Sequence, residues 1–153
     1  MEVYRDFKEL LELFNKHGVE YLVVGGYALA FHGAPRFTGD LDLYVRPDAA
    51  NARRILAALD EFGFGSLELT DEDFALPGKI VQLGVPPIRV DLITSISGAS
   101  WEQAEAGKGW STYGDVAVPF ISRNAFIANK RATGRAKDLA DAEALEPLDD
   151  AEP

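Results

Sequence analysis

The segment Tyr21-Leu22-Val23-Val24-Gly25-Gly26 … Asp40-Leu41-Asp42-Leu43-Tyr44-Val45 changes its periodicity twice across a pair of glycines. Tyr21 to Val24 is a continuous apolar run and reads as a buried strand. It stops at Gly25-Gly26, after which Tyr27 to His32 reads as a short helix with Ala28, Leu29 and Phe31 turned inward. Gly33, Ala34 and Pro35 break that helix. From Leu41 to Val45 the pattern alternates: Leu41, Leu43 and Val45 take one face of a strand, and Asp40, Asp42 and Tyr44 take the other.

Similar patterns extend in both directions. Upstream, Val3, Phe7, Leu10, Leu11 and Phe14 recur at helical spacing and Gly18 ends the helix. Downstream, Asp48 is placed to cap a helix whose stripe is Ala52, Ile55, Leu56 and Leu59, with Gly63 as its stop. Thr70 to Phe74 makes at most one helical turn. Lys79 to Leu83 and Ile88 to Ile93 read as two strands joined through Gly84 to Pro87. Ser100-x-x-Gln103 is a capping box. Trp110 to Tyr113 and Val116 to Pro119 form a hairpin around Gly114-Asp115. Ser122 caps a helix to about Thr133, and Gly134 separates it from a last helix, Ala136 to Glu146. The predicted fold is α/β (α+β): a mixed, twisted sheet backed by helices, with two C-terminal helices. It forms a single domain over residues 1–146, with the sheet core at about 19–120 and the C-terminal helices at about 122–146. The acidic end, 147–153, is expected to be disordered.

Composition narrows the chemistry. Of 153 residues, 47% are hydrophobic, enough for a real core, and the net charge is −10. So acidic a chain does not coat nucleic acid broadly, which would need a basic surface. With no cysteine and only two histidines, there is no disulfide framework, no thiolate nucleophile and no histidine-rich zinc site. Carboxylates must carry any metal chemistry. No apolar run approaches the ~20 residues of a membrane span, and a cytoplasmic protein is expected.

The acids have a pattern suited to metal. Asp40 and Asp42 are two apart on one strand, so their carboxylates point the same way. Asp91, in Arg89-Val90-Asp91-Leu92-Ile93, joins them if its strand lies alongside. Two unit charges about 4 Å apart repel by about 4 kcal/mol at an effective dielectric near 20. Such a cluster matches a hard divalent cation, magnesium or manganese. Gly25 and Gly26, lacking Cβ atoms, let the backbone approach phosphate oxygens, and the amides opening the next helix face the anion.

These residues resemble a known signature. Val23-Val24-Gly25-Gly26 … Asp40-Leu41-Asp42-Leu43, with Asp91 downstream, is similar to that of nucleotidyltransferases of the DNA polymerase β superfamily. The closer resemblance is to short bacterial and archaeal members: AbiEii-like toxins, minimal nucleotidyltransferase antitoxins partnered with HEPN toxins, and lincosamide-modifying enzymes. Gly33-Ala34-Pro35-Arg36-Phe37-Thr38-Gly39-Asp40 resembles their Arg-x-Thr/Ser-x-Asp lead-in. Lys130 … Gly134-Arg135-Ala136-Lys137-Asp138-Leu139-Ala140-Asp141 resembles their Lys … Arg-x-Lys-Asp-x-x-Asp helical segment.

The resemblance implies transfer of a nucleoside monophosphate from a nucleoside triphosphate to a hydroxyl of RNA, protein or a small molecule, with Mg2+ or Mn2+. It implies that Asp40 and Asp42 bind metal and triphosphate. Asp91 would complete the acceptor-side metal site and help activate the attacking hydroxyl. Gly25 and Gly26 would contact phosphates, and Lys130 would reach the triphosphate or the acceptor. Arg36 would hold phosphate or orient Asp40, unless it is a surface loop arginine. A cognate toxin or antitoxin protein is the implied partner in one branch of the family. The alternatives are an antitoxin-like protein acting mainly through that partner, or an antibiotic nucleotidyltransferase. One departure stands out: where many members have Ser or Thr after the glycines, this chain has Tyr27. Lys130, Arg131, Arg135 and Lys137 form a basic cluster that faces phosphate or pairs with Asp138, Asp141 and Glu143. Trp101 and Trp110 are expected to pack in the core rather than stack on a base.

Overall fold

The alternation of Leu41, Leu43 and Val45 with Asp40, Asp42 and Tyr44 becomes a central strand with one apolar face and one acidic face. The computed structural model describes residues 3–34, 39–64, 68–85 and 88–150. In chain order its elements are α1 (Arg5–Lys16), β1 (Tyr21–Val24), α2 (Gly25–Phe31), β2 (Asp40–Val45), α3 (Ala49–Leu59), α4 (Glu72–Ala75), β3 (Ile80–Val85), β4 (Ile88–Ile93), α5 (Trp101–Glu105), β5 (Gly109–Tyr113), β6 (Val116–Phe120), α6 (Arg123–Thr133) and α7 (Ala136–Asp150). The six strands form one sheet in the order β3-β4-β2-β1-β6-β5. It is mixed: β1 runs antiparallel to β2 but parallel to β6, and β2 runs parallel to β4.

Register partners on neighbouring strands point to the same side of a sheet. Leu41, Leu43, Val90 and Leu92 therefore share one face, and all are buried. Helix α1 lies there, with Phe14 edge-on to Tyr21 at 5.6 Å between centroids, and α3 packs beside it. Phe7, Leu10, Leu11 and Phe14 are buried as the helical spacing predicts, whereas Val3 precedes the helix and is exposed. Full burial of each such side chain contributes about 1.5–3 kcal/mol.

The helix starts are set by local chemistry. The Asp48 side chain accepts from the Asn51 amide. Ser100 and Gln103 form the expected capping box. The Ser122 hydroxyl accepts from Ala125 N, and Gly134 closes α6 in a left-handed conformation. Two boundaries differ from expectation. A π-type turn, Asp60–Phe64, carries on from α3 through Gly63. Helix α7 runs past Glu146 to Asp150, while residues 151–153 of the expected tail lie outside the described residues.

Asn51 is a structural residue that pattern reading passes over. It is fully buried, its carboxamide oxygen accepts from Glu20 N, and its Nδ2 donates to the carbonyls of Glu20 and Arg46. It thereby ties the start of β1 and the end of β2 to α3. A buried amide that meets several backbone groups outside the sheet ladder satisfies what burial would otherwise leave unpaired.

Candidate active site

The acidic face is assembled by strand register. Asp40 lies opposite Arg89, and Asp42 lies opposite Asp91 on one side and Val24 on the other. Alternation along each strand puts Asp40, Asp42, Arg89 and Asp91 on the same side. Asp91 is among the few buried charged residues. The expectation that it would face the same way as Asp40 and Asp42 therefore agrees with the geometry.

Gly25 sits directly over this face. Its φ of +69° is a conformation that side chains avoid, and a Cβ there would collide with Asp42 Oδ2. Both the turn and the close approach require glycine. The Asp42 carboxyl is pushed up to about 6 by burial first, then by the charges of Asp91 and Asp40, with Lys130 and Arg89 pulling the other way. Mutual repulsion within the acid cluster, anticipated from spacing, is thus present in the folded chain.

Above the sheet, α6 and α7 close one side of a cleft of about 390 Å³. Its lining includes Gly25, Asp42, Ile80, Ile93, Ile96, Asn129, Lys130, Arg135 and Asp138. Lys130 therefore lines the same cleft as Asp42. Its side chain is only 16% exposed, its Nζ is 3.3 Å from Asp138 Oδ1 and 4.0 Å from Asp141 Oδ2, and it sits over the Phe126 ring. Asp138 also accepts from the Thr133 hydroxyl at 2.7 Å and lies 3.3 Å from Arg135 Nε. Burial pushes the Asp138 carboxyl up, but the Thr133 hydrogen bond and the neighbouring cations outweigh it and hold the group below its ordinary value. The basic cluster is thus both cleft wall and ion-pair network, and the pairs bridge the corner between α6 and α7. A larger hollow of about 560 Å³ lies between α5 and α6, but its described lining holds no carboxylate.

Arg89 is the site residue that sequence reading missed. Its guanidinium is 3.0 Å from Asp40 Oδ2, 3.2 Å from Asp91 Oδ1 through Nε, and 3.3 Å from Asp91 Oδ2. An arginine two residues before a strand aspartate is visible in the chain, but its bridge to Asp40 depends on register. The donor set suits a hard divalent cation: three carboxylates on one face, repelling one another. Among the described residues, though, no three such side chains are gathered into a ready metal cage, and Arg89 occupies Asp40 and Asp91. A cation fits this site if Arg89 yields its place.

Other candidates fall out as follows. Tyr27 is buried, its ring 6.4 Å from that of Phe7 and 5.9 Å from that of Tyr113. The ring belongs to the core and is not among the described residues that line the cleft. Arg36 lies outside the described residues. His32 has Nε2 2.7 Å from the Ile121 carbonyl. Trp101 is buried edge-on to Tyr44, as expected. Trp110 corrects the expectation: it is 59% exposed, because β5 is an edge strand, and Lys108 lies over its ring. No helix among the described residues is long and apolar enough to cross a membrane.

No family model matches the chain, and no curated protein matches it. Solved structures do. A candidate nucleotidyltransferase from Thermotoga maritima superposes with a TM-score of 0.58 at 15% identity, covering 97% of this chain and 92% of that one. The antibiotic-resistance factor ANT(2'')-Ia gives 0.58 at 12% identity, covering 94% and 82%. The lincosamide antibiotic adenylyltransferase LnuA, solved with lincomycin, gives 0.53 at 16% identity, covering 97% and 99%. At these identities the likeness is one of fold: the chain shares the fold of these three structures.

Proposed function

We infer that this chain is a divalent-metal-dependent nucleotidyltransferase, moving a nucleoside monophosphate from a nucleoside triphosphate to a hydroxyl with release of pyrophosphate. One observation carries the reading: register sets Asp42 opposite Asp91, on one face with Asp40, beneath the Gly25 turn and across the cleft from Lys130. Asp40, Asp42 and Asp91 would hold Mg2+ or Mn2+, which would supply charge neutralisation at the triphosphate and ease ionisation of the attacking hydroxyl. The chain's own residues then position the reactants. Gly25 and Gly26 admit phosphate oxygens to the backbone. Lys130 presents a compact positive charge to them. Arg36 remains a proposed phosphate contact. Ile80, Ile93 and Ile96 offer an apolar wall within the same cleft. Work of this kind is mainly positioning and charge stabilisation.

Within this activity, the motif resemblance favours a short AbiEii-like or minimal-nucleotidyltransferase type, acting in the cytoplasm on an RNA or protein acceptor beside a cognate toxin or antitoxin. A small-molecule hydroxyl is the third acceptor class. A chain that worked only by binding a partner protein would have no need for repelling acids packed under a positive-φ glycine. The test is transfer of label from each nucleoside triphosphate to total RNA, total protein and a set of hydroxylated antibiotics. Metal-dependent transfer to one class is expected, reduced about a thousandfold by Asp42→Ala. No transfer to any class, or equal transfer by the variant, would refute the reading and leave the fold as a binding scaffold.

A further inference from the structure

The acid cluster already holds a cation of its own. Arg89 Nη2 lies 3.0 Å from Asp40 and 3.3 Å from Asp91, spanning strands β2 and β4. The fork is imperfect. Arg89 Nε and Asp91 Oδ1 are 3.2 Å apart, yet both are buried and neither has a hydrogen bond of acceptable geometry. An Asp91 oxygen is therefore desolvated without a full partner, which is costly for a carboxylate. Among the described residues, the Arg89 guanidinium is the cation that spans Asp40 and Asp91. Lys130, across the cleft, is committed to Asp138.

We propose that Arg89 is the built-in counter-ion of this cluster, holding Asp40 and Asp91 together in the metal-free protein and giving them up when a divalent cation enters. This rests on the reading of Asp40, Asp42 and Asp91 as a metal site. The imperfect fork explains why exchange is feasible. A saturated bidentate pair would resist displacement, whereas an imperfect one is strong enough to keep the acids ordered and weak enough to yield. Arg89 is on this account a positioning residue and a competitor of the metal, not a group that touches the reacting atoms.

The test uses Mn2+ alone, without nucleotide, with bound ion read by electron paramagnetic resonance and the metal-free fold read by thermal melting. Arg89→Gln is expected to bind Mn2+ at least tenfold more tightly than the wild type while its metal-free form melts lower, and added Mn2+ should narrow that difference in melting. Arg89→Lys, which keeps a charge but cannot fork across two carboxylates, should fall between them and serves if the glutamine variant fails to fold. Wild-type binding with no tightening in either variant overturns the counter-ion role while leaving the metal site standing. If neither wild type nor variants bind Mn2+, the metal reading fails, and the counter-ion role fails with it.

Discussion

Two charged clusters face each other across the cleft, and they are built on opposite principles. On the strands, Asp40, Asp42 and Asp91 share a face with one arginine, and like charges are held close by register. On the helices, Lys130, Thr133, Arg135, Asp138 and Asp141 alternate donor and acceptor, so that each anion is met by a cation or hydroxyl. The carboxyls respond in opposite directions: Asp42 is pushed up to about 6, whereas Asp138 is held below its ordinary value. The helical cluster is satisfied as it stands and fixes one wall. The strand cluster keeps like charges together, with Arg89 between Asp40 and Asp91. Local frustration of that kind concentrates at functional sites, and a stable scaffold beside it is what maintains it.

The sharpest way to break this contrast is at Gly25. Gly25→Ala forces a side chain into a positive φ and against Asp42 Oδ2. A loss of about 2–3 kcal/mol in chemical denaturation is expected, together with loss of triphosphate binding. A near-neutral change would mean that the turn is not constrained as described.

On the helical side, Lys130→Ala removes the cation shared by the half-buried Asp138 and the buried Asp141. A destabilisation of about 1–3 kcal/mol is expected. This exceeds what an exposed lysine would cost, and it should accompany weaker triphosphate binding by calorimetry. Unchanged stability would show that the network carries no strain when opened.

A third test exploits the direction of the Asp42 shift. Its folded value of about 6 lies above the ordinary 3.8, so between those values the folded state binds the extra proton. The metal-free protein should therefore be stabilised by this group at low pH and lose that contribution as pH rises from about 4 to about 6. Asp42→Asn should remove this slope, leaving the metal-free variant more stable than wild type at pH 8 by roughly 1–3 kcal/mol and little different at pH 4. Melting curves across pH decide it, and a variant less stable at pH 8 would contradict repulsion within the cluster. The smallest effect is expected at Arg131, adjacent to Lys130 but exposed. Arg131→Ala should change stability by no more than about 0.5 kcal/mol and triphosphate binding hardly at all. A loss equal to that of Lys130→Ala would erase the distinction between wall and solvated face.

Much of this molecule is legible in its amino-acid sequence, and the legible parts share a cause. Caps at Asp48, Ser100 and Ser122 depend on atoms three residues away. The strand faces of β2 depend on a period of two, and Gly134 on its own φ. Such features are local, so a single chain displays them. The same holds for the pairing of Asp40 with Asp42, since residues two apart on a strand must point together. Trp101 and Trp110 mark the limit. Both are aromatic residues among helical or strand patterns, yet one is buried and the other exposed because β5 ends the sheet.

Arg89 shows why the remainder stays hidden. It is separated from Asp40 by 49 residues, and nothing in that interval states which strand will lie beside which. Placing β4 parallel to β2, in the register that opposes Asp40 to Arg89 and Asp42 to Asp91, is a property of the whole sheet. So is the return of α6 and α7 over the cleft. Spacing along the chain decides which side chains share a face, because backbone geometry repeats every two or 3.6 residues. Which faces meet is decided by long-range packing, because a pairing between distant segments is paid for by the burial of the entire core and not by the residues that happen to touch.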